Sequence, residues 1–353
     1  MSATIRIGVI GAGGNTRAKH IPLLQQIPGV EIVVVANRTR ESGERVAREF
    51  GIGRVAADWR EVVAAADIDA VVIGTWPYLH AEISIAALRA GKHVLTEARM
   101  ARDLAEARAM LAEARRHPRL VAQIVPAPFS IPFDATVREW LDAGKLGAVR
   151  EVHAAFTHGG FASASAPFSW RQDFDLSGKN TLFLGIFYEM VLRWLQREPE
   201  SVVADAAIFT RERRDESGAG CEVKIPESLT VLGRYPSTDS RQADGARMVL
   251  NVSGVETSAP RNEIRVNGTE GGVRADFATG TLWFAARGQA EQRVEIAPEK
   301  RADWRVEADF IDSIRDGRPV RLTDFATGVR YMAFTEAVWE SWTRGGVRVA
   351  IEQ

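Results

Sequence analysis

The sequence predicts an α/β fold of two domains, a doubly wound parallel sheet over residues 1–125 and an α+β domain with an open, mostly antiparallel sheet over residues 126–353. Three observations predict it. A short apolar strand runs through a glycine turn into a helix at the amino end. Strand and helix then alternate to residue 124. After Pro126-Ala127-Pro128 the alternation gives way to short strands joined by turn-forming pairs.

Ile5, Ile7, Val9 and Ile10 make a strand apolar enough to be buried on both faces. Gly11, Ala12, Gly13, Gly14, Asn15 and Thr16 follow, and residues 17–26 suit a helix. Such a strand–turn–helix describes a dinucleotide site. Glycines let the backbone approach a ligand closely, and the free N–H groups of the helix start receive a pyrophosphate. In G-x-G-x-x-G the third glycine lets helix and strand pack tightly; here Thr16 stands in that place.

Residues 32–36 continue as a strand, 41–50 as a helix and 58–66 as a short helix. A buried strand at 70–74 (AVVIG) precedes a helix at 80–90, a strand at 93–96 and a helix at 103–115; residues 121–124 close the series. This order predicts right-handed crossovers and a ligand at the carboxyl ends of the strands. In the second domain a helix at 133–143 and a Gly-Lys-Leu-Gly turn lead into a strand at 149–157. A strong helix spans 182–193. Strands follow at 201–210, 227–235, 246–252, 261–267, 272–276 and 281–284, with Asn267-Gly268 and Glu270-Gly271-Gly272 as turns. Helices at 304–314 and 325–343 carry apolar stripes.

The second strand ends at Asn37-Arg38-Thr39-Arg40. An acid there would bond a ribose diol and repel a 2′-phosphate, whereas these side chains suit phosphate, which favours NADP over NAD. The plainer reading leaves Arg40 starting an exposed helix.

With 353 residues, 26% charged and a net charge of −1, the chain offers no global field for nucleic acid or an anionic membrane. Cys221 is the single cysteine, which excludes an internal disulfide or a cysteine-built metal cluster and suits a reducing, cytoplasmic setting. The expectation is a soluble protein without secretory leader or membrane span. Six histidines show no ligand-spaced pair on a helix face, so no metal is expected, and no nucleophile elbow is present.

The stretches RIGVIGAGG, VVIGTWPYLHAEISIAALRAGKHVLTE, WRQDFDLSGKNTLFLGIFYEMVLRWL and VNGTEGGVRAD together resemble the glucose–fructose oxidoreductase and inositol dehydrogenase (Gfo/Idh/MocA) family across nearly the whole chain. The second is similar to the family's ATPNxxHxExAxxALxAGKHVxxEKP. The resemblance implies a Rossmann domain, a C-terminal domain with an open sheet, and a nicotinamide cofactor between them. It also implies oxidation or reduction of a hydroxyl or carbonyl on sugars and polyols, and homodimers or homotetramers formed through that sheet. The departures are pointed. Where the family has Glu-Lys-Pro this chain reads Glu97-Ala98-Arg99, and where it has D-x-G-x-H-x-x-D this chain has Phe183, Gly185, Phe187 and Met190. The family's lysine, aspartate and histidine are all replaced.

Candidates to handle a proton in their stead are His158 in Thr157-His158-Gly159-Gly160, Tyr188 and Arg99, with Tyr78 behind them. Each has a plainer alternative: a hydrogen-bonded structural histidine, a tyrosine turned elsewhere, a solvated arginine. Phe183 and Phe187 make an apolar wall to a substrate pocket, and Trp170-Arg171 supports it. His80 is expected to brace the cofactor loop, Glu97 and Ala98 to lie on the nicotinamide side, and Thr75 and Trp76 to pass beside the cofactor. The expected function is hydride transfer between NADP, or NAD, and a small carbonyl, imine or alcohol. A regulatory nucleotide-binding protein and a redox-neutral enzyme with retained cofactor are the alternatives.

Overall fold

The computed structural model describes residues 4–237 and 244–352. The chain forms two compact units, Met1–Pro126 with Arg305–Met332, and Ala127–Trp304 with Ala333–Gln353. The sequence reading draws one boundary after residue 125; the chain crosses between units again at 305 and at 333.

The first unit opens with β1 (Ile5–Ile10), α1 (Ile21–Gln25), β2 (Val30–Ala36), α2 (Arg40–Phe50), β3 (Arg54–Val55) and α3 (Trp59–Ala64). β4 (Ala70–Ile73), α4 (His80–Arg89), β5 (His93–Thr96), α5 (Leu104–Arg116) and β6 (Ala122–Ile124) continue it. Among the described residues these six strands make one parallel sheet in the order β3-β2-β1-β4-β5-β6. Ile7, Val9, Val35, Val71, Ile73 and Leu95 are buried in it, as expected for a sheet with helices on both faces. Asp58 and Asp103 accept hydrogen bonds from first-turn N–H groups and so fix the starts of α3 and α5.

The helix expected over 17–26 is instead a wide π-type turn, Thr16–His20, followed by α1. Pro22 accounts for the change in pitch, because it supplies no N–H to the preceding turn. The missing third glycine is answered on the opposite strand. A Cβ on Gly74 would overlap the Thr16 hydroxyl, so Gly74, just beyond β4, vacates the space that Thr16 fills. Thr16 is buried there.

The second unit contains α6 (Ile131–Asp142), β7 (Val149–Thr157), α7 (Phe174–Ser177), α8 (Leu184–Leu195) and β8 (Ser201–Ala207). The hairpin β9 (Glu212–Arg214) and β10 (Gly220–Glu222) precedes β11 (Ser228–Arg234), β12 (Arg247–Ser253), β13 (Asn262–Gly268), β14 (Gly271–Asp276), β15 (Thr281–Ala286) and β16 (Gln292–Val294). Then come α9 (Val306–Asp316) in the first unit, α10 (Phe325–Thr343), which changes unit between Met332 and Ala333, and β17 (Val349–Ala350). Among the described residues nine strands form the sheet β16-β15-β14-β13-β7-β12-β11-β8-β17. Every pairing is antiparallel except β7 with β12. The helix expected from residue 182 starts at Leu184 because Leu182 holds a left-handed φ of 50°.

Candidate functional site

The first unit builds a cleft at the carboxyl ends of its strands. Gly11, with φ 82°, turns the chain out of β1, and a Cβ there would meet the Thr75 backbone nitrogen at 2.7 Å. Gly14 has open space where a side chain would be. The first N–H groups of the helix that starts at Gly14, Asn15 and Thr16 have no intrahelical acceptor, an arrangement chemically able to receive an anion. Asn37 fixes the turn from outside: its Oδ1 accepts the Ala12 N–H at 2.7 Å.

Beside the turn lies a cavity of about 360 Å³ whose walls include Gly11, Gly13, Asn37, Arg38, Thr75 and Trp76. That volume is in the usual range for a small-molecule site. Asp58, Trp59 and Tyr78 also line it, and the sequence reading assigned none of them to cofactor. The helix α3 was legible as 58–66; that Asp58 caps it and that its start reaches the cleft was not.

Of the four residues read as phosphate ligands, three are committed. Asn37 holds the loop, Thr39 caps α2 by accepting from the Ser42 N–H, and Arg40 pairs with Glu44. Arg38 is exposed, stands 5.6 Å over the Trp76 ring, and has no carboxylate partner among the described residues.

Behind the cleft, His80 is buried with Nδ1 and Nε2 each 2.9 Å from a carbonyl oxygen, of Arg99 and Thr75. Burial pushes its imidazole below the usual value and the two carbonyl contacts work against that shift; the ring ties the loop at Thr75 to the loop at Arg99. Arg99 is buried rather than solvated, following a cis peptide from Ala98.

Glu97 enters a network that no sequence argument found. His20, fully buried, stands 2.9 Å from Glu97 Oε1 through Nε2 and 2.5 Å from Glu307 Oε1 through Nδ1. Asn15 donates to Glu97 as well, tying the glycine turn to β5 and α9. Burial opposes the imidazolium, but the bonds to Glu307 and Glu97 outweigh it and raise His20 to about 9. Burial likewise works against the Glu97 carboxylate, and the His20 bond and charge with the Asn15 amide hold it below its ordinary range. At neutral pH the cluster therefore holds a His20 cation against the Glu97 carboxylate, with Glu307 bonded to the other ring nitrogen.

The second unit gathers the other candidates. His158, just past β7, lies edge-on to Phe161 and Phe183, with ring centroids 5.6 Å and 6.2 Å away. Phe183 leans on Phe187 at 5.8 Å, and Phe187 stacks on Phe156 at 3.8 Å. The Arg171 guanidinium lies 4.4 Å from the Trp170 ring and 4.9 Å from Phe183. Tyr188, beside Phe187 in sequence, is turned into the core and stacks on Phe334 at 3.7 Å; a phenol so buried is placed for packing.

A family model described as an oxidoreductase family with an NAD-binding Rossmann fold matches residues 5–124, and the model of the GFO/IDH/MocA C-terminal domain matches residues 135–274. The levoglucosan dehydrogenase of Pseudarthrobacter phenanthrenivorans is 26% identical over 286 residues, covering 76% of this chain and 73% of its own. Among solved structures, an oxidoreductase domain protein from Kribbella flavida aligns over 99% of this chain and 100% of its own, with a TM-score of 0.87 at 24% identity. A levoglucosan dehydrogenase in complex with NADH and L-sorbose aligns over 99% and 100%, with a TM-score of 0.84 at 23% identity. At that identity the two structures establish the shared fold.

Proposed function

The chain belongs to the Gfo/Idh/MocA family of oxidoreductases, and from that premise we propose that it moves a hydride between NADP(H), in preference to NAD(H), and a small carbonyl, imine or alcohol less polar than a free sugar. The nicotinamide, when bound, supplies or accepts the hydride. The protein's own residues do the holding. The turn from Gly11 to Thr16 offers backbone N–H groups to the pyrophosphate, with Gly13 and Gly14 leaving its approach open and Asn15 held to Glu97. Asn37 keeps the turn in shape, Thr75 and Trp76 form a wall of the cleft, and His80 braces Thr75 from behind. Glu97 and Ala98 follow the end of β5 at Thr96 on the same carboxyl edge. The cleft fits the group: it has the glycine cradle, an anion-seating helix start and room for a base beside aromatic rings.

One observation carries the choice of cofactor. Arg38 is an exposed guanidinium on the cleft wall without an acidic partner among the described residues, and no carboxylate stands at Asn37 to repel a 2′-phosphate. Fluorescence titration of R38A tests it. NADPH binding falls about 10-fold to 100-fold, the worth of a charge-assisted bond to phosphate, and NADH binding changes little. Equal losses for both would remove the NADP preference.

A further inference from the structure

His158 carries a hydrogen-bond donor that the folded chain does not use. Its Nδ1 accepts the Gly160 N–H at 3.0 Å, so the single proton of the neutral ring resides on Nε2. Nε2 is buried and has no hydrogen-bond partner among the described residues. Burial first, and the nearby Arg171 charge second, hold the imidazole below its usual value and keep it neutral around pH 7. Leaving such a donor unpaired is costly, and an oxygen acceptor on a ligand would recover that cost.

The surroundings hold the ring in this state. Glycines flank it on two sides: a Cβ on Gly160 would come within 3.0 Å of Nδ1, and one on Gly254 within 3.3 Å of Cε1. Phe161 and Phe183 face it edge-on, and behind Phe183 the stack of Phe187 on Phe156 continues the aromatic surface. Leu182, immediately before Phe183, holds a left-handed φ of 50°, a strained backbone next to this wall. The segment bearing His158 and Arg171 is itself clamped. Arg213, buried against Glu227 at 2.6 Å, donates to the carbonyls of Phe161, Ser163 and Ala166.

We propose that the Nε2–H of His158 binds the reacting oxygen of the substrate, and that this substrate is a carbonyl or alcohol conjugated to, or adjoining, a planar apolar group that lies on Phe183. His158 orients and polarises that oxygen and transfers no proton, since a neutral imidazole N–H is far too weak an acid to ionise; the oxygen takes its proton from water when hydride reaches the carbonyl carbon and returns it to water in the reverse direction. The inference rests on the oxidoreductase reading only in calling this ligand the substrate.

Acetophenone is the probe, titrated into 15N-histidine-labelled protein with and without NADPH. The His158 signal, identified by its loss in H158F, is expected to report a protonated Nε2 and a bare Nδ1. It shifts saturably with acetophenone and stays unmoved by erythritol. H158F binds acetophenone about fivefold to tenfold more weakly, and H158Q, whose amide N–H can stand where Nε2–H stood, recovers most of the loss. A ring protonated on Nδ1, a signal indifferent to acetophenone, an equal response to erythritol, or H158F binding as tightly as the parent would each overturn the proposal. NADPH affinity, measured in parallel, separates the two claims. Acetophenone shifting His158 in a protein that ignores NADPH sinks the cofactor reading alone, whereas tight NADPH with an unmoved His158 sinks this one alone.

Discussion

Single residues decide how the cleft holds its shape. The glycine turn was legible because Gly11, Gly13 and Gly14 are adjacent in sequence and their conformational freedom is a local property. The role of Asn37 was only half legible, since a side chain read as suited to phosphate spends its carbonyl on the Ala12 N–H. The His20–Glu307 contact was beyond reach, being made by residues 287 positions apart. That contact gives a signed pH effect. A histidine raised to about 9 in the folded chain, from about 6.5 when unfolded, stabilises fully below pH 6.5 and loses its contribution as pH climbs to 9. H20Q removes the buried cation and leaves two carboxylates facing an amide, at a cost of about 3 kcal/mol. Urea unfolding of the parent and H20Q is expected to show that gap in full at pH 6 and much reduced at pH 9.5. A constant gap would show that His20 is not charged in the fold.

At the scale of elements, most strands and helices lie within one or two residues of the expected bounds, because period-2 and period-3.6 apolar patterns mark them. β7 and α10 match at both ends. The hairpin of β9 and β10 was not legible: its strands are three residues each and largely polar. Yet it supplies Arg213. With Glu227 this arginine, fully buried, ties the segment from His158 to Gln172 to the hairpin; Glu227 Oε2 also receives the N–H groups of Phe209 and Thr210. R213M strands Glu227 without its cation and is expected to cost about 3–5 kcal/mol in chemical denaturation. Adding E227Q relieves the stranded charge and restores part of that loss. Additive losses in the double variant would mean the two side chains do not act as a pair.

For the whole molecule, strand alternation and the change of grammar at Pro126 were enough to foresee two sheets, one parallel and one mostly antiparallel. The return of Arg305–Met332 to the first unit was not foreseen, because an amphipathic helix carries no mark of which unit will bury it. There α9 sets Glu307 against His20, Arg315 donates to the Pro28 carbonyl, and Gln123 donates to the Val306 carbonyl. Among the described residues no helix is long and apolar enough to cross a membrane. The account turns on a pyridine nucleotide occupying the cleft beside Gly11 and Arg38. Titration calorimetry of ligand-free protein should give one site per chain for NADPH, tighter than for NADH. Heat from neither nucleotide, in protein whose unfolding is cooperative, would contradict it.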